Sequence, residues 1–411
     1  MTIDPEELKK RRAQRKRKRL LFWLRLGAAA LVLIASFVTV WLITRPKKPS
    51  EAELNDPANQ TVIRLAAAGD LNVSQAVVAA GGDQYDYTAM LMDVLPLLGQ
   101  ADITALNFEG TLSGEPYGED RAAPQQLMTA LSRAGVDYIQ LANSYSVYHG
   151  MEGLAKTLQG VRSAGIEPLG AYATSREAKE QKGYSIRTVQ GIKIAFVAFT
   201  KGMDGMVEPK GYEGCVNVLY EDYATDYQKV NNLGIEKILS AVEKEAPDIT
   251  VAFVHWGSEF NDTISPSQEK ICKLLQEGGV DVVIGTHSHY VQRMDFDRET
   301  GTFVAWSLGD FLGDSKREDP KHKQAASEYS VVLELEITKN AVTGQTKVTG
   351  YSYTPIFTVE EEGKPVRVVR IREAIAGFDQ GYIDKVEQTT YDAMTKALVR
   401  IEERIHPKKK K

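Results

Sequence analysis

Short apolar runs alternate with longer amphipathic ones from Val62 onward. "VIRLAAAGD", "ADITALNFEG", "VDYIQLANS", "KIAFVAFT", "ITVAFVHWG" and "VDVVIGTHSH" are apolar on both faces in their middles, the pattern of strands buried on two sides. Between them lie "YTAMLMDVLPLLG", "PQQLMTALSRAG", "GLAKTLQGVRSAG" and "SPSQEKICKLLQEGG". Their apolar positions recur at helical spacing, and each ends in Gly, which tolerates the left-handed backbone that stops a helix. Alternating strand and helix predicts an α/β fold with helices on the sheet faces. "TFVAWSLGDF", "SEYSVVLELEIT" and "TKVTGYSYTPIFT" follow with no helix between them, so the later part of the sheet is expected to be antiparallel. A C-terminal helix is expected within "FDQGYIDKVEQTTYDAMTKALVRIEERI", before a solvated "PKKKK" tail. The expected body is one domain of two packed sheets with helices outside.

A different pattern precedes this body. "LGAAALVLIASFVTVWLIT", Leu26 to Thr44, holds no charge, and with the flanking "LLFWLR" it reaches the roughly 20 residues that cross a bilayer core. Arg25 and Arg45 bracket it, and Trp23 and Trp41 sit where interfacial aromatics are favoured. A cleaved signal peptide is the alternative, but the run is long and ends in "VWLITRP" without a small-residue cleavage pattern. Expected boundaries are a basic arm (1–19), an anchor (20–44), a polar linker (45–61), the body (62–358) and a C-terminal extension (359–411).

Charge adds direction. Nine Lys and Arg between Lys9 and Arg19 predict a cytoplasmic N-terminus and a body outside the cell. The first 48 residues carry thirteen basic side chains against Asp4, Glu6 and Glu7, so the chain's net −5 leaves the remainder near −15. An acidic body is the wrong sign for a nucleic-acid binder. Cys215 and Cys272 are the only cysteines, open to a disulfide or to two buried thiols.

Coordinating residues gather where the predicted strands stop, the end at which open α/β sheets bind ligands. The first ends in Asp70, the second in Asn107 and Glu109, the third in Asn143, a later one in His255, and the last in His287 and His289. In an extended strand, residues i and i+2 share a face, so the two last imidazoles are expected to meet at one point. A lone His-x-His, or a lone Asp after "AAAG", occurs without chemical meaning. Five such strand ends in one chain point to a metal or acid–base site. Neutral imidazoles with carboxylates suit Mn, Zn or Fe, and such a mixed set fits one divalent ion or two about 3.5–4 Å apart.

At these residues the chain resembles the CapA family of capsule and poly-γ-glutamate synthesis proteins. The resemblance covers about Arg64 to Phe311 and rests on "AAAGDLNVS", "ALNFEGTL", "LANSYSVYHG", "LGAYATSREA", "HWGSEF", "VIGTHSHYVQ" and "WSLGDFLGD". It implies a calcineurin-like metallophosphatase fold, a two-sheet sandwich flanked by helices. It implies metal ligands at Asp70, Glu109, His255, His287 and His289, with Asn107, Trp256, Gly257 and Glu259 lining the site. Asp310 stands where the family usually has Asn.

The family pattern L-A-N-N-H-x-x-D-x-G reads here Leu141-Ala142-Asn143-Ser144-Tyr145-Ser146-Val147-Tyr148-His149-Gly150. Ser144 replaces a metal-binding amide, Tyr145 a histidine, and Tyr148 an acid. Tyr145 is a hydrogen-bond donor but, with a pKa near 10, a poor base at neutral pH. Asn143 is the candidate substitute ligand, and His149 the candidate substitute imidazole. Three readings follow. The first is an anchored accessory protein for an extracellular anionic polymer such as poly-γ-glutamate, working within a membrane-bound polymer synthase complex. The second is a metal-dependent hydrolase of phosphoesters or polymer bonds. The third is a non-catalytic partner-binding module.

Overall fold

The computed structural model describes residues 5–44, 49–313, 327–381 and 386–407. Residues 45–48 of the expected linker, Asp314 and the tail from 408 on lie outside them. The chain divides into two compact units, Met1–Asp56 and Pro57–Lys411.

In the first unit a single helix runs from Pro5 to Thr44, so basic arm and apolar run share one continuous helix. Its stretch Lys16–Trp41 is long and apolar enough to cross a membrane, a test that a signal sequence also passes. A short helix, Glu51–Asn55, follows, started by Ser50 and Glu53 in reciprocal capping.

The second unit is built on two sheets. The first contains β1 (Gln60–Asn72), β2 (Ile103–Glu109), β3 (Tyr138–Gln140) and β4 (Glu167–Leu169), all parallel. The second begins with β5 (Tyr184–Val189), β6 (Ile192–Thr200), β7 (Ile249–His255) and β8 (Val282–Thr286), then β9 (Met294–Phe296) and β10 (Phe303–Ala305). The chain returns to the first sheet with β11 (Tyr329–Asn340), β12 (Thr346–Val359) and β13 (Arg367–Arg370). The strand orders are β13-β12-β11-β1-β2-β3-β4 and β5-β6-β7-β8-β10-β9.

The expected antiparallel return holds for β11, β12 and β13, which add antiparallel to β1 and to one another. For "TFVAWSLGDF" it holds on one side only: Phe303–Ala305 is the strand there, antiparallel to β9 and parallel to β8. "YTAMLMDVLPLLG" is not one helix but three short turns, Thr88–Leu91, Met92–Val94 and Leu95–Gly99, the last with Pro96 in its first turn, where the missing N–H is tolerated. The C-terminal helix runs from Gln388 to Ile405, after a separate helix Ile371–Asp379.

Side-chain alternation divides the second sheet into two faces. Ile194, Phe196, Val251, Phe253, Val282 and Ile284 enter the core shared with Leu65, Leu71 and Phe108 of the first sheet. Their neighbours Ala195, Val197, Ala252, Val254 and Val283 pack outward against Ile235 and Leu239 of helix Asn232–Lys244 and Ile271 and Leu275 of helix Pro266–Glu277. Period-2 burial on both faces explains why these strands read as unbroken apolar runs. Cys215 lies in the inner core and Cys272 in the outer one, both as free thiols.

Candidate metal centre

The two sheets meet at the carboxyl ends of β1, β2, β7 and β8. β1 carries a register shift between Ala67 and Asp70. Beyond it the Asp70 N–H donates to the Gly309 carbonyl at 3.0 Å, and the Leu312 N–H donates to the Asp70 carbonyl at 3.2 Å. Gly69 permits this approach, since a Cβ there would lie 1.7 Å from the Gly309 carbonyl oxygen.

Two groups of ligating side chains result. Glu109, His255 and His287 form one; Asp70, His289 and Asp310 form the other. Within each group the ligand atoms all lie within 4.8 Å of one another, and all six residues are buried. Glu109 comes from the end of β2 and Asp70 from the end region of β1, His255 from the end of β7, His287 and His289 from the turn after β8, and Asp310 from the loop after β10. Rings of His255 and His287 are 4.4 Å apart, and those of His287 and His289 are 6.3 Å apart.

Hydrogen bonds fix these side chains. Asp70 Oδ1 accepts from Asn107 Nδ2 at 2.6 Å, and Oδ2 accepts from the His287 backbone N–H at 2.9 Å. His255 Nδ1 lies 3.1 Å from Thr286 Oγ1; its Nε2 lies 3.1 Å from Ser144 Oγ and 3.4 Å from Glu109 Oε1. His289 Nδ1 is 2.7 Å from Asp310 Oδ1 and 3.9 Å from Asp70 Oδ2, while its Nε2 is 3.6 Å from Glu259 Oε1. Carboxylate-backed imidazoles are a common way to orient a metal-ligating nitrogen.

The electrostatics of this pocket favour a cation. Burial, then the Glu109 and Asp310 carboxylates, hold Asp70 well above the usual carboxylate range. Burial pushes His255 well below the usual imidazole value, with His289 adding to the effect. For His289 burial opposes protonation, but the Asp310 carboxylate and Glu259 outweigh it and hold the group well above its ordinary value. Asp310 Oδ2 and His289 Nε2 are buried and make no hydrogen bond among the described residues. Three buried carboxylates beside three imidazoles, with lone pairs left over, are a donor set that fits a divalent cation.

Several expectations need correction. His287 and His289 do not share one point from an extended strand. β8 stops at Thr286, and both residues have left-handed backbone (φ 87° and 58°), so each imidazole joins a different group. Asn143 is engaged in bracing the site: its Nδ2 donates to Asn107 Oδ1 and to the Phe108 carbonyl, and its Oδ1 accepts from the Tyr145 N–H. Trp256 faces the outer core, stacked on Trp306 at 5.4 Å with Nε1 donating to the Trp306 carbonyl. His149 is held outside both groups, Nε2 lying 2.9 Å from the Asp120 carbonyl. Tyr145 stands beside Ser144, and its hydroxyl accepts from Arg121. Asn107, Glu259 and Asp310 do touch the cluster: Asn107 braces Asp70, Glu259 reaches His289 from a part-exposed position, and Asp310 belongs to a group itself.

Sequence reasoning missed Arg121, which sits in a loop without periodicity. It also passed over Asn72, although the i+2 step from Asp70 along β1 marks it.

The chain is similar to the capsule biosynthesis protein CapA of Bacillus anthracis, 23% identical over 295 residues, covering 69% of this chain and 66% of that protein, just under two thirds. It is similar to the PGA biosynthesis protein CapA of Bacillus subtilis, 23% identical over 349 residues, covering 83% and 82%. Among solved structures, a phosphatase of Mycoplasma pneumoniae aligns with a TM-score of 0.44 and 13% identity over 72% of this chain and 94% of that one. The model of the family described as bacterial capsule synthesis protein PGA_cap matches residues 64–315, which include all six clustered ligands. The chain belongs to that family of bacterial capsule synthesis proteins.

Proposed function

We propose that this chain is a membrane-anchored accessory protein for synthesis, export or anchoring of an extracellular anionic polymer of the poly-γ-glutamate kind, and that its body engages the polymer through bound divalent cations. The basic arm ahead of the apolar helix supports an N-terminus in the cytoplasm and a body outside. One observation carries the reading: two buried ligand groups, each assembled from both sheets.

Asp70, His289 and Asp310 would hold one cation, and Glu109, His255 and His287 a second. A bound divalent cation supplies positive charge and Lewis acidity to a carboxylate or phosphate oxygen. The chain's own residues prepare the place. Asn107 orients the Asp70 carboxylate, and Asp310 fixes the His289 ring. Burial keeps His255 neutral, with a lone pair to offer, between Thr286 and Ser144. Local positive charge is what an acidic body needs to accept a polyanion.

The test uses the full chain purified in detergent without chelator. Elemental analysis is expected to find one or two equivalents of transition metal, and poly-γ-glutamate binding is expected to disappear with EDTA and return with Mn or Zn. Polymer binding indifferent to EDTA would overturn the reading. Absence of metal together with absence of binding would favour the non-catalytic module.

The adjacency of the two groups favours hydrolysis as a second reading, because paired cations suit in-line displacement at a phosphoester. It predicts metal-dependent turnover of a generic phosphodiester that is lost in His287→Ala. Ser144 and Tyr145, in place of the family's amide and imidazole, leave no general acid with a near-neutral pKa at that position. No turnover with Mn, Zn or Fe would remove this reading.

A further inference from the structure

β1 continues two residues past Asp70 to Asn72, which lies in register with Glu109. Asn72 is only 1% exposed, and its Nδ2 has no hydrogen-bond partner among the described residues. Such an orphaned amide donor is costly unless something outside the chain satisfies it. Next to it stands Arg121, whose Nη1 is 3.5 Å from Asn72 Oδ1 and 3.5 Å from the Val73 carbonyl. The Arg121 Nη2 donates to the Tyr145 hydroxyl at 2.9 Å, and the guanidinium lies 4.3 Å from the centre of the same ring.

Arg121 is held by neutral groups. Arg162, Arg187, Arg293, Arg367, Arg370 and Arg372 each face a carboxylate. Arg121 has none within ion-pair distance among the described residues. It contacts only neutral acceptors, two of them at the outer limit of a hydrogen bond. A guanidinium with five N–H donors in a planar fork is suited to more than this.

The loop that presents it is built rather than slack. Asp120 and Arg121 both adopt left-handed backbone (φ 45° and 60°), a conformation costly for non-glycine residues. Thr111 N–H donates to the Arg121 carbonyl at 2.9 Å, Ala123 N–H to the Thr111 carbonyl at 2.8 Å, and Gly118 N–H to the Ala122 carbonyl at 2.7 Å. These bonds pin the loop to the residue two places after Glu109. The tyrosine is fixed as well: its N–H is bound to Asn143 Oδ1 at 2.9 Å, and it follows Ser144, which touches His255.

We propose that Arg121, Tyr145 and Asn72 form an oxyanion subsite beside the carboxylate–imidazole cluster, which takes a carboxylate of the anionic polymer. The inference rests on the function proposed above and adds which residues recognise the chain. Its three members offer a guanidinium fork, a phenol whose hydroxyl accepts from Arg121 and whose ring holds the guanidinium in place, and an amide N–H₂. That is a set of donors with one positive charge, the complement of a carboxylate or phosphate oxygen pair. One acidic group of a polymer would sit in this subsite while a neighbouring one reaches the cation site.

The experiment measures binding of a γ-linked glutamate oligomer, and of a polyphosphate of equal charge, to the full chain loaded with Mn. Arg121→Ala is expected to weaken glutamate binding by about tenfold or more and to flatten its salt dependence, with metal content unchanged. Arg121→Lys keeps the charge but loses the fork, so it recovers part of the affinity. Tyr145→Phe keeps the ring and loses the hydroxyl, and gives a smaller loss than Arg121→Ala. Metal content and melting temperature of each variant show that the fold is retained. If the wild-type chain binds neither oligomer, the proposed function falls and the subsite with it. If it binds and Arg121→Ala binds equally well, the subsite alone is overturned. Tighter binding of polyphosphate with the same dependence on Arg121 would overturn the carboxylate assignment.

Discussion

Removal of divalent cation from the full chain is expected to lower its stability by about 3 kcal/mol. Asp70 and Asp310 offer ligand atoms within 4.8 Å of each other, both buried. At an effective dielectric constant of about 20, two like charges at that distance repel by about 3.5 kcal/mol. In the metal-free protein a proton on Asp70 or on His289, whose affinities for it are both raised, relieves part of this, beside the hydrogen bonds that Asp70 accepts from Asn107 and His287. A cation relieves it directly, and mass action at a hundredfold excess over Kd gives a similar figure, about 2.7 kcal/mol. For a body of this size the loss corresponds to a melting temperature lower by about 4 °C. Calorimetry of the full chain in detergent, with Mn and with EDTA, reads the shift. Asp310→Asn supplies the control. It removes one of the repelling charges while keeping an acceptor for His289 Nδ1, so the metal-free protein gains stability and the response to Mn shrinks. Equal melting temperatures with Mn and EDTA, or a full response in Asp310→Asn, would refute the argument.

Other outcomes can be checked alongside. Burial, partly offset by Arg400, raises the Glu328 carboxyl from 4.5 to about 7. The folded state therefore holds a proton that the unfolded chain releases, and stability is full below about pH 4.5 and falls as pH rises toward 7. The shift is worth about 1–2 kcal/mol after discounting for partial exposure, and Glu328→Gln should flatten that part of a denaturation-versus-pH curve. Trp256→Ala is expected to cost about 3–5 kcal/mol in urea unfolding while metal content stays the same, because the indole belongs to the outer core. His149→Ala should leave metal content and polymer binding unchanged, since its ring is bound to the Asp120 carbonyl. Asn143→Ala strips the Asn107 amide of its brace, so it should lower the melting temperature and weaken metal uptake together.

The pattern of the chain shows much of this architecture and less of its chemistry. Strand positions follow from double-sided burial, which leaves long apolar runs at β1, β2, β6, β7 and β8. Asp70, Glu109, His255, His287 and His289 stand out because side chains able to ligate a metal recur at the ends of several such runs. What local pattern cannot supply is geometry created by the meeting of two sheets. The division of His287 and His289 between two groups depends on left-handed backbone, held in part by the bond from the His287 N–H to Asp70. The use of Asn143 as a bridge to Asn107 depends on β2 lying beside β3. Trp256 follows His255 in sequence, yet strand alternation sends it to the opposite face. Arg121 belongs to a loop whose shape is set by hydrogen bonds back to Thr111, and no periodicity announces it.

The close crossing of Gly69 and Gly309 has a consequence for when the protein becomes able to hold metal. Asp70 stands beside His289 and Asp310 where the strand bearing Gly69 packs against that carbonyl, a contact joining segments about 240 residues apart in sequence. A nascent or partly folded chain holds the ligands but not the cage. Cation uptake is therefore a late signature of complete maturation, and metal retained through chelator washing would distinguish finished molecules from merely compact ones.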